Sequence, residues 1–184
     1  MIDLEYQKKQ FKDHKATFTD YGNIKILDFQ KPGCSHYRIR FMFEEDYYRL
    51  HISGDLGELI ATNFKNMNYE DFSSDFVNNI GYFEEKIDCH SRRIYEYDVK
   101  KARKELEEKA EEYEWEIDQD EFDDIFEYYS DISGISSDGI DALMKLDPDA
   151  WEWSPDLGKE ETGILDLYML AFKLAQKQLK EEEA

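Results

Sequence analysis

Two cysteines, three prolines and nine glycines are all that the 184-residue chain holds of these three types. Cys34 and Cys89 cannot build a disulfide framework, so the composition fits a reducing compartment. Little proline and glycine, together with 41% hydrophobic and 15% aromatic residues, excludes a disordered acidic tail and predicts a folded chain. No run of about 18 apolar residues occurs, so no membrane span is expected. The opening residues 1–9 (MIDLEYQKK) lack the apolar segment of a secretory signal, and a cytoplasmic location is expected. The P-loop, the G-x-G-x-x-G turn, the nucleophile elbow and H-E-x-x-H are all missing. Positive charge is scarce as well: 23 Lys and Arg stand against 44 Asp and Glu, a formal charge of −21. Phosphate backbones and anionic membranes repel such a chain, so neither direct duplex DNA binding nor membrane association is expected.

What is present is unevenly placed. Residues 1–100 carry 18 acids and 14 bases, a net charge of −4, and every arginine except Arg103. Residues 101–184 carry 26 acids and 9 bases, a net charge of −17. Within them, 105–131 holds 14 acids and a single base, Lys109. The expected organisation is a near-balanced α/β part, 1–100, and an acidic helical part, 101–184, in one compact domain.

The hydrophobic pattern predicts an α+β fold. The first 20 residues read as a short helix or an extended arm. Strands are expected at Ile24–Phe29, at His36–Phe43, at Tyr47–Ser53 and at Glu58–Asn63, because apolar residues alternate there. The result is a three- or four-stranded antiparallel meander over 24–63. Lys31-Pro32-Gly33, Glu44-Glu45-Asp46 and Gly54–Gly57 supply the turns. Helices are expected at 69–80, 81–86, 99–116, 121–132, 137–146 and 163–180, with Asp98 capping the third. Ile87–Cys89 reads as a crossing into a loop. Trp151 and Trp153 fall in a Pro-flanked loop, as packing residues or as a binding platform.

Two constellations carry chemistry. On the sheet, Arg38 and Arg40 share one strand face and Arg49 and His51 share a face of the next, with Asp55 and Glu58 at the adjoining turn. Antiparallel neighbours sit about 5 Å apart, so these groups are expected to converge. The most basic local stretch, EKIDCHSRR (85–93), adds Lys86, His90, Arg92 and Arg93 as RNA-contact candidates. Metal-free RNA cleavage needs a base, an acid and a cation for the phosphate, and these residue types supply all three. Cross-strand ion pairing is the plainer reading of the same residues. The second constellation is the acidic stretch, with Glu108, Glu112, Trp115, Asp120, Asp123, Asp124 and Glu127 as partner-binding candidates. A duplex shows about one charge per 1.7 Å of axis and a helix rises about 1.5 Å per residue, so carboxylates along a helix imitate a phosphate row. A solvated helix face is the plainer alternative. Asp118, Asp120 and Asp124 resemble a calcium loop only in part, since its glycine and terminal glutamate are out of register. Cys34, His36, Cys89 and His90 lack zinc-site spacing. No metal or other cofactor is expected, except a divalent ion if the chain cuts RNA.

The segments KPGCSHYRIRF (31–41), LHISGDLGE (50–58) and YFEEKIDC (82–89) resemble a family of small proteins carried by phages and prophages of Firmicutes. That resemblance implies a phage-encoded protein working in the cytoplasm of a bacterial host. Some small acidic phage proteins of this kind look like anti-CRISPR inhibitors of type II (Cas9-type) effector nucleases. The resemblance spans about 20–100 and the last helix; it carries nothing over to 105–161. Its implied partner is the type II effector with its guide RNA. Three functions follow as expectations: an inhibitor that docks acidic helices on the effector, a ribonuclease that trims the guide RNA, or a non-enzymatic accessory protein bound to another host protein.

Overall fold

Alternation decides the first half of the chain. In Ile39–Glu44 every second side chain, Ile39, Phe41 and Phe43, is fully buried, while Arg40 stays in water. The computed structural model describes residues 2–182. In chain order the elements are α1 (Leu4–Gln10), β1 (Lys15–Asp20), β2 (Ile24–Gln30), β3 (Ile39–Glu44), β4 (Arg49–Gly54), β5 (Leu59–Thr62), α2 (Tyr69–Asp75), α3 (Ile80–Glu84), β6 (Ile87–His90), β7 (Tyr95–Tyr97), α4 (Val99–Glu112), α5 (Gln119–Ile125), α6 (Ser137–Leu143), α7 (Ala150–Trp153), a 3-10 turn (Ser154–Asp156), β8 (Lys159–Glu161) and α8 (Ile164–Glu182). The α+β class holds, with an antiparallel sheet of six strands in the order β1-β2-β3-β4-β5-β6. The described residues form two compact units: Ile2–Arg93 with 163–182, and Ile94–Thr162.

In the sheet unit, one face is an apolar layer of Leu27, Phe29, Ile39, Phe41, Phe43, Leu50, Ile52 and Leu59, each at most 3% exposed. Helix α8 covers it. Phe172 lies edge-on to Phe41 at 5.1 Å and to Phe72 of α2 at 4.8 Å. Tyr168 is buried and its hydroxyl donates to the Leu56 carbonyl at 3.0 Å; burial pushes its pKa up to about 12. At the far end of α8, the Gln178 side chain accepts from the Ala16 N–H and donates to the His14 carbonyl. It thereby satisfies an outward donor on the edge strand β1.

Two strands of this sheet depart from expectation. Lys15–Asp20, read as part of a helix or arm, is β1, with Ala16 and Phe18 alternating against Lys15, Thr17 and Thr19. Ile87–His90, read as a crossing into a loop, is the other edge strand, β6, paired with β5 across a register shift at Ile60/Ala61. The expected strand at 36–43 begins only at Ile39, because Tyr37 takes a left-handed φ of 58°. The expected strand from Tyr47 begins at Arg49, because Tyr47 and Tyr48 form the turn, Tyr48 at φ 47°. Of the two helices expected over 69–80 and 81–86, the first already ends at Asp75 and the second runs from Ile80 to Glu84, where Asn79 caps it by accepting the Tyr82 N–H.

The Ile94–Thr162 unit is closed at its base by β7 pairing antiparallel with β8, a ribbon absent from the expectation. Its core is Ala102, Leu106, Ile125, Phe126, Ile135, Leu143, Ala150 and Leu157. Asp98 caps α4 through the Lys101 N–H at 2.7 Å. The helix stops at Glu112, four residues short of the expected end. Glu114 takes φ 55°, the Trp115 N–H bonds the Ala110 carbonyl, and the Glu114 N–H bonds Glu111. This is a Schellman ending with glutamate where glycine is usual. Asp118 and Glu121 form a capping box at α5, which ends at Ile125 rather than 132. Trp151 and Trp153 lie on the short helix α7 rather than in a loop. The last helix, grouped with the acidic part on charge alone, packs in the sheet unit.

His14 supplies a pH test of the sheet unit. It is 2% exposed, lies between Phe11 (5.1 Å) and Phe29 (5.2 Å), and neither ring nitrogen has a hydrogen-bond partner among the described residues. Burial depresses its pKa below the ordinary value of 6.5, against the opposing influence of the Tyr37 and His36 backbone. The unfolded chain therefore takes up a proton below 6.5 that the folded chain refuses. Stability falls as pH drops through that value, at a slope of at most about 1.4 kcal/mol per pH unit, and is fully present above it. Urea unfolding at pH 7.5, 6.5 and 5.5 is expected to show a steeper loss for the native chain than for His14→Phe; parallel losses would contradict it.

Candidate functional site

The sheet's other face positions the predicted catalytic residues. Register places Asp28 beside Arg40 and Arg40 beside Ser53, in one row across β2, β3 and β4. Arg40 donates through Nε and Nη2 to the two Asp28 oxygens, at 2.7 and 2.9 Å, and this bidentate pair raises the guanidinium pKa. Glu44 holds the next two candidates, with His51 Nε2 at 3.2 Å and Arg49 Nη1 at 3.5 Å. Arg40 and His51 are thus each committed to a carboxylate, on separate strand rows.

Arg38 sits in the loop before β3 rather than on the strand. Its carbonyl accepts the Asp55 N–H at 2.8 Å, and the Asp55 carboxylate accepts the Tyr37 N–H at 2.8 Å. Asp55 therefore clamps the 35–38 loop to the β4–β5 turn. Gly54 permits this closeness: at φ 144° an added Cβ would lie 2.1 Å from the Arg38 oxygen. The clamp forms a pocket of about 360 Å³ lined by Asp28, Gln30, Arg38, Arg40, Ser53, Gly54 and Glu58. Of the six residues expected to converge, Arg38, Arg40 and Glu58 line this pocket, and Arg49, His51 and Asp55 are not among its lining residues.

The basic stretch reaches the same turn from β6. Ser91 and Glu58 exchange hydrogen bonds at 2.8 Å, and Arg92 Nη2 approaches the Asp55 carbonyl at 3.5 Å. Lys86 instead sits over the Tyr82 ring at 4.3 Å and pairs with Glu85 at 3.3 Å. His90 turns its Nδ1 to the Arg92 carbonyl at 2.6 Å. In register it opposes Leu59, on the core side, whereas His51 opposes Ile60 on the outer side. The catalytic candidate His51 and the RNA-contact candidate His90 therefore fall on opposite faces of the sheet. Among the described residues no group of three or more His, Cys, Asp or Glu side chains is arranged to hold a metal, and Cys34 and Cys89 are exposed free thiols.

The acidic surface belongs to the second unit. Residues 94–162 carry 24 acids and 7 bases, a net charge of −17, and the rest of the chain carries −4. Glu108, Glu112, Asp120, Asp123, Asp124 and Glu127 are all exposed. Two of them are tied to cations: Glu108 to Lys104 at 3.2 Å and Asp123 to Arg103 at 2.7 Å. The Arg103 hydrogen bond holds the Asp123 carboxyl below its usual range. Trp115, expected to anchor a partner, is half-buried and stacks on Tyr113 (5.4 Å) and Trp153 (6.1 Å). It packs the unit, and the exposed aromatics nearby are Tyr113, Tyr128 and Trp151. The sequence left Trp153 open between packing and a binding platform, and gave no signal for Asp156. Both line a groove with Glu105, Glu108, Lys109, Glu112 and Leu157.

Comparison of the chain with protein-family models, curated proteins and solved structures finds no match in any of the three.

Proposed function

We propose that the chain is a non-enzymatic inhibitor of a type II CRISPR effector, docking the exposed carboxylates of residues 94–162 on the effector's basic surface. One observation carries this reading: in that unit seven bases face 24 acids, so most of its carboxylates lack a local cation. Such a surface steers toward a basic channel and competes there with a nucleic-acid backbone. The implied resemblance to phage proteins supplies the choice of partner. The guide-trimming alternative draws support from the pocket that gathers Arg38, Arg40 and Glu58. It is weakened by the commitments of Arg40 to Asp28 and His51 to Glu44, and by His90 on the opposite face.

One assay separates these readings. The chain is incubated with effector preassembled on labelled guide RNA, and both target-DNA cutting and guide length are followed. Docking predicts loss of DNA cutting with guide RNA of full length. A shortened guide would overturn docking as the mechanism and assign the effect to the sheet pocket. Undiminished cutting with an intact guide would remove both and direct attention to another basic host protein.

A further inference from the structure

The acidic unit has a gripping point of its own. Between α4 and the Trp153–Leu157 segment lies a groove of about 370 Å³. Four carboxylates line it, those of Glu105, Glu108, Glu112 and Asp156, and its apolar wall is Trp153 with Leu157. The indole is held in place: its Nε1 donates to Asp147 at 2.9 Å, and its ring stacks on Trp115 at an interplanar angle of 25°. A cation already sits in the groove. Lys109 Nζ lies 4.3 Å from the Trp153 ring centroid and 5.0 Å from that of Tyr113. An aromatic face among carboxylates favours an organic cation. It repels phosphate, and among the described residues no three of its carboxylates converge to hold a metal ion.

We propose that this groove receives an arginine or lysine side chain from a basic segment of a partner protein, with Lys109 occupying the place in the free chain. Charge complementarity selects the occupant: the groove is lined by four carboxylates and the Lys109 ammonium, Glu105, Glu108 and Asp156 are paired with Lys101, Lys104 and Lys159 at its rim, and Glu112 has no cation partner among the described residues. Lys109 is on a flexible stem, so an incoming guanidinium displaces it and stacks on the indole more broadly. The proposal rests on acidic docking as the function and names where on that surface the grip lies.

The test uses the full chain and a short peptide of alternating arginine and glycine, with binding followed by calorimetry at low and at physiological salt. Glu108→Gln with Glu112→Gln is expected to weaken peptide binding about tenfold. The charge-matched pair Asp46→Asn with Glu85→Gln, exposed on the sheet unit, is expected to change it less than about twofold. Lys109→Ala vacates the indole and is expected to tighten binding about fivefold. Equal weakening by the two pairs would show that the peptide follows net charge; the groove is then overturned while docking survives. A Lys109→Ala chain that binds no tighter overturns the place-holding role. A native chain that binds no peptide at low salt overturns the groove altogether, whatever the effector assay returns.

Discussion

Lysine at Glu108, Glu112, Asp120 and Asp124 together is expected to lower affinity for the proposed effector by about 100-fold at physiological ionic strength. The four reversals move the formal charge from −21 to −13, all within one unit. Rim charges contribute modestly one by one, but four reversals turn attraction into repulsion, and about 3 kcal/mol corresponds to that ratio. The fold should tolerate the change. All four side chains are exposed, and only Glu108 among them gives up an ion pair, a surface contact with Lys104 at 3.2 Å worth about 0.3–0.5 kcal/mol. Asp120 lies in the first turn of α5, where a lysine opposes the helix dipole at a cost of about 0.5 kcal/mol. Asp123 is left native because its bond to Arg103 spans α4 and α5, so its loss would mix stability with binding. Titration calorimetry against the effector measures the affinity, and thermal unfolding confirms the fold. Unchanged binding in a folded variant sinks the docking mechanism.

The same side chains show how far sequence reading reaches. Charge was legible because it needs no geometry: the −17 concentrated beyond residue 100 reappears as the −17 of the folded unit 94–162. The boundaries were not, because residues 163–180 carry no mark of belonging with a sheet whose last strand ends at His90. Only the packing of Phe172 against Phe41 reveals it. The central strands were legible from alternation, since Ile39, Phe41 and Phe43 are buried on one face. The edge strands were not. β1 reads KATFTD, with only Ala16 and Phe18 pointing inward, and β6 buries little, so neither shows a strong apolar period.

At the candidate site, residue type was informative and direction was not. Arg38, Arg40 and Glu58 do meet in a pocket, but the sequence could not tell that Asp28 would claim Arg40 or Glu44 would claim His51. Those claims are long-range register effects: Asp28 meets Arg40 only because β2 pairs β3 through that position. Trp115 misled for a related reason. An aromatic among carboxylates looks like an anchor, yet the left-handed Glu114 turns the chain so that Trp115 stacks on Trp153. Helix ends were hard to place where a stop carries no glycine, as after Glu112, where Glu114 takes the left-handed position that closes α4.

Phe172→Ala is expected to cost the sheet unit about 4 kcal/mol, a large part of the stability of an ordinary domain. The ring is fully buried and meets four others: Phe41 at 5.1 Å, Phe72 at 4.8 Å, Tyr69 at 6.1 Å and Phe43 at 6.2 Å. Truncation removes the apolar transfer energy of a ring and leaves a cavity between two secondary-structure layers that cannot both move inward. Sheet side chains are fixed by register, and α8 is pinned at both ends by the Tyr168–Leu56 and Gln178–His14 hydrogen bonds. Collapse is therefore limited, which places the expected cost toward the upper part of the range for such changes. Phe172→Leu keeps much of the volume and is expected to cost about half as much. Lys173→Ala, one position along on an exposed face, should stay within about 0.5 kcal/mol. Urea unfolding followed by circular dichroism measures all three. If Phe172→Ala and Lys173→Ala unfold alike, α8 does not cover the sheet as described. If they differ as expected, the segment beyond the acidic unit completes the core that the six strands begin, since those strands alone leave Phe41, Phe43 and Phe72 without their shared partner.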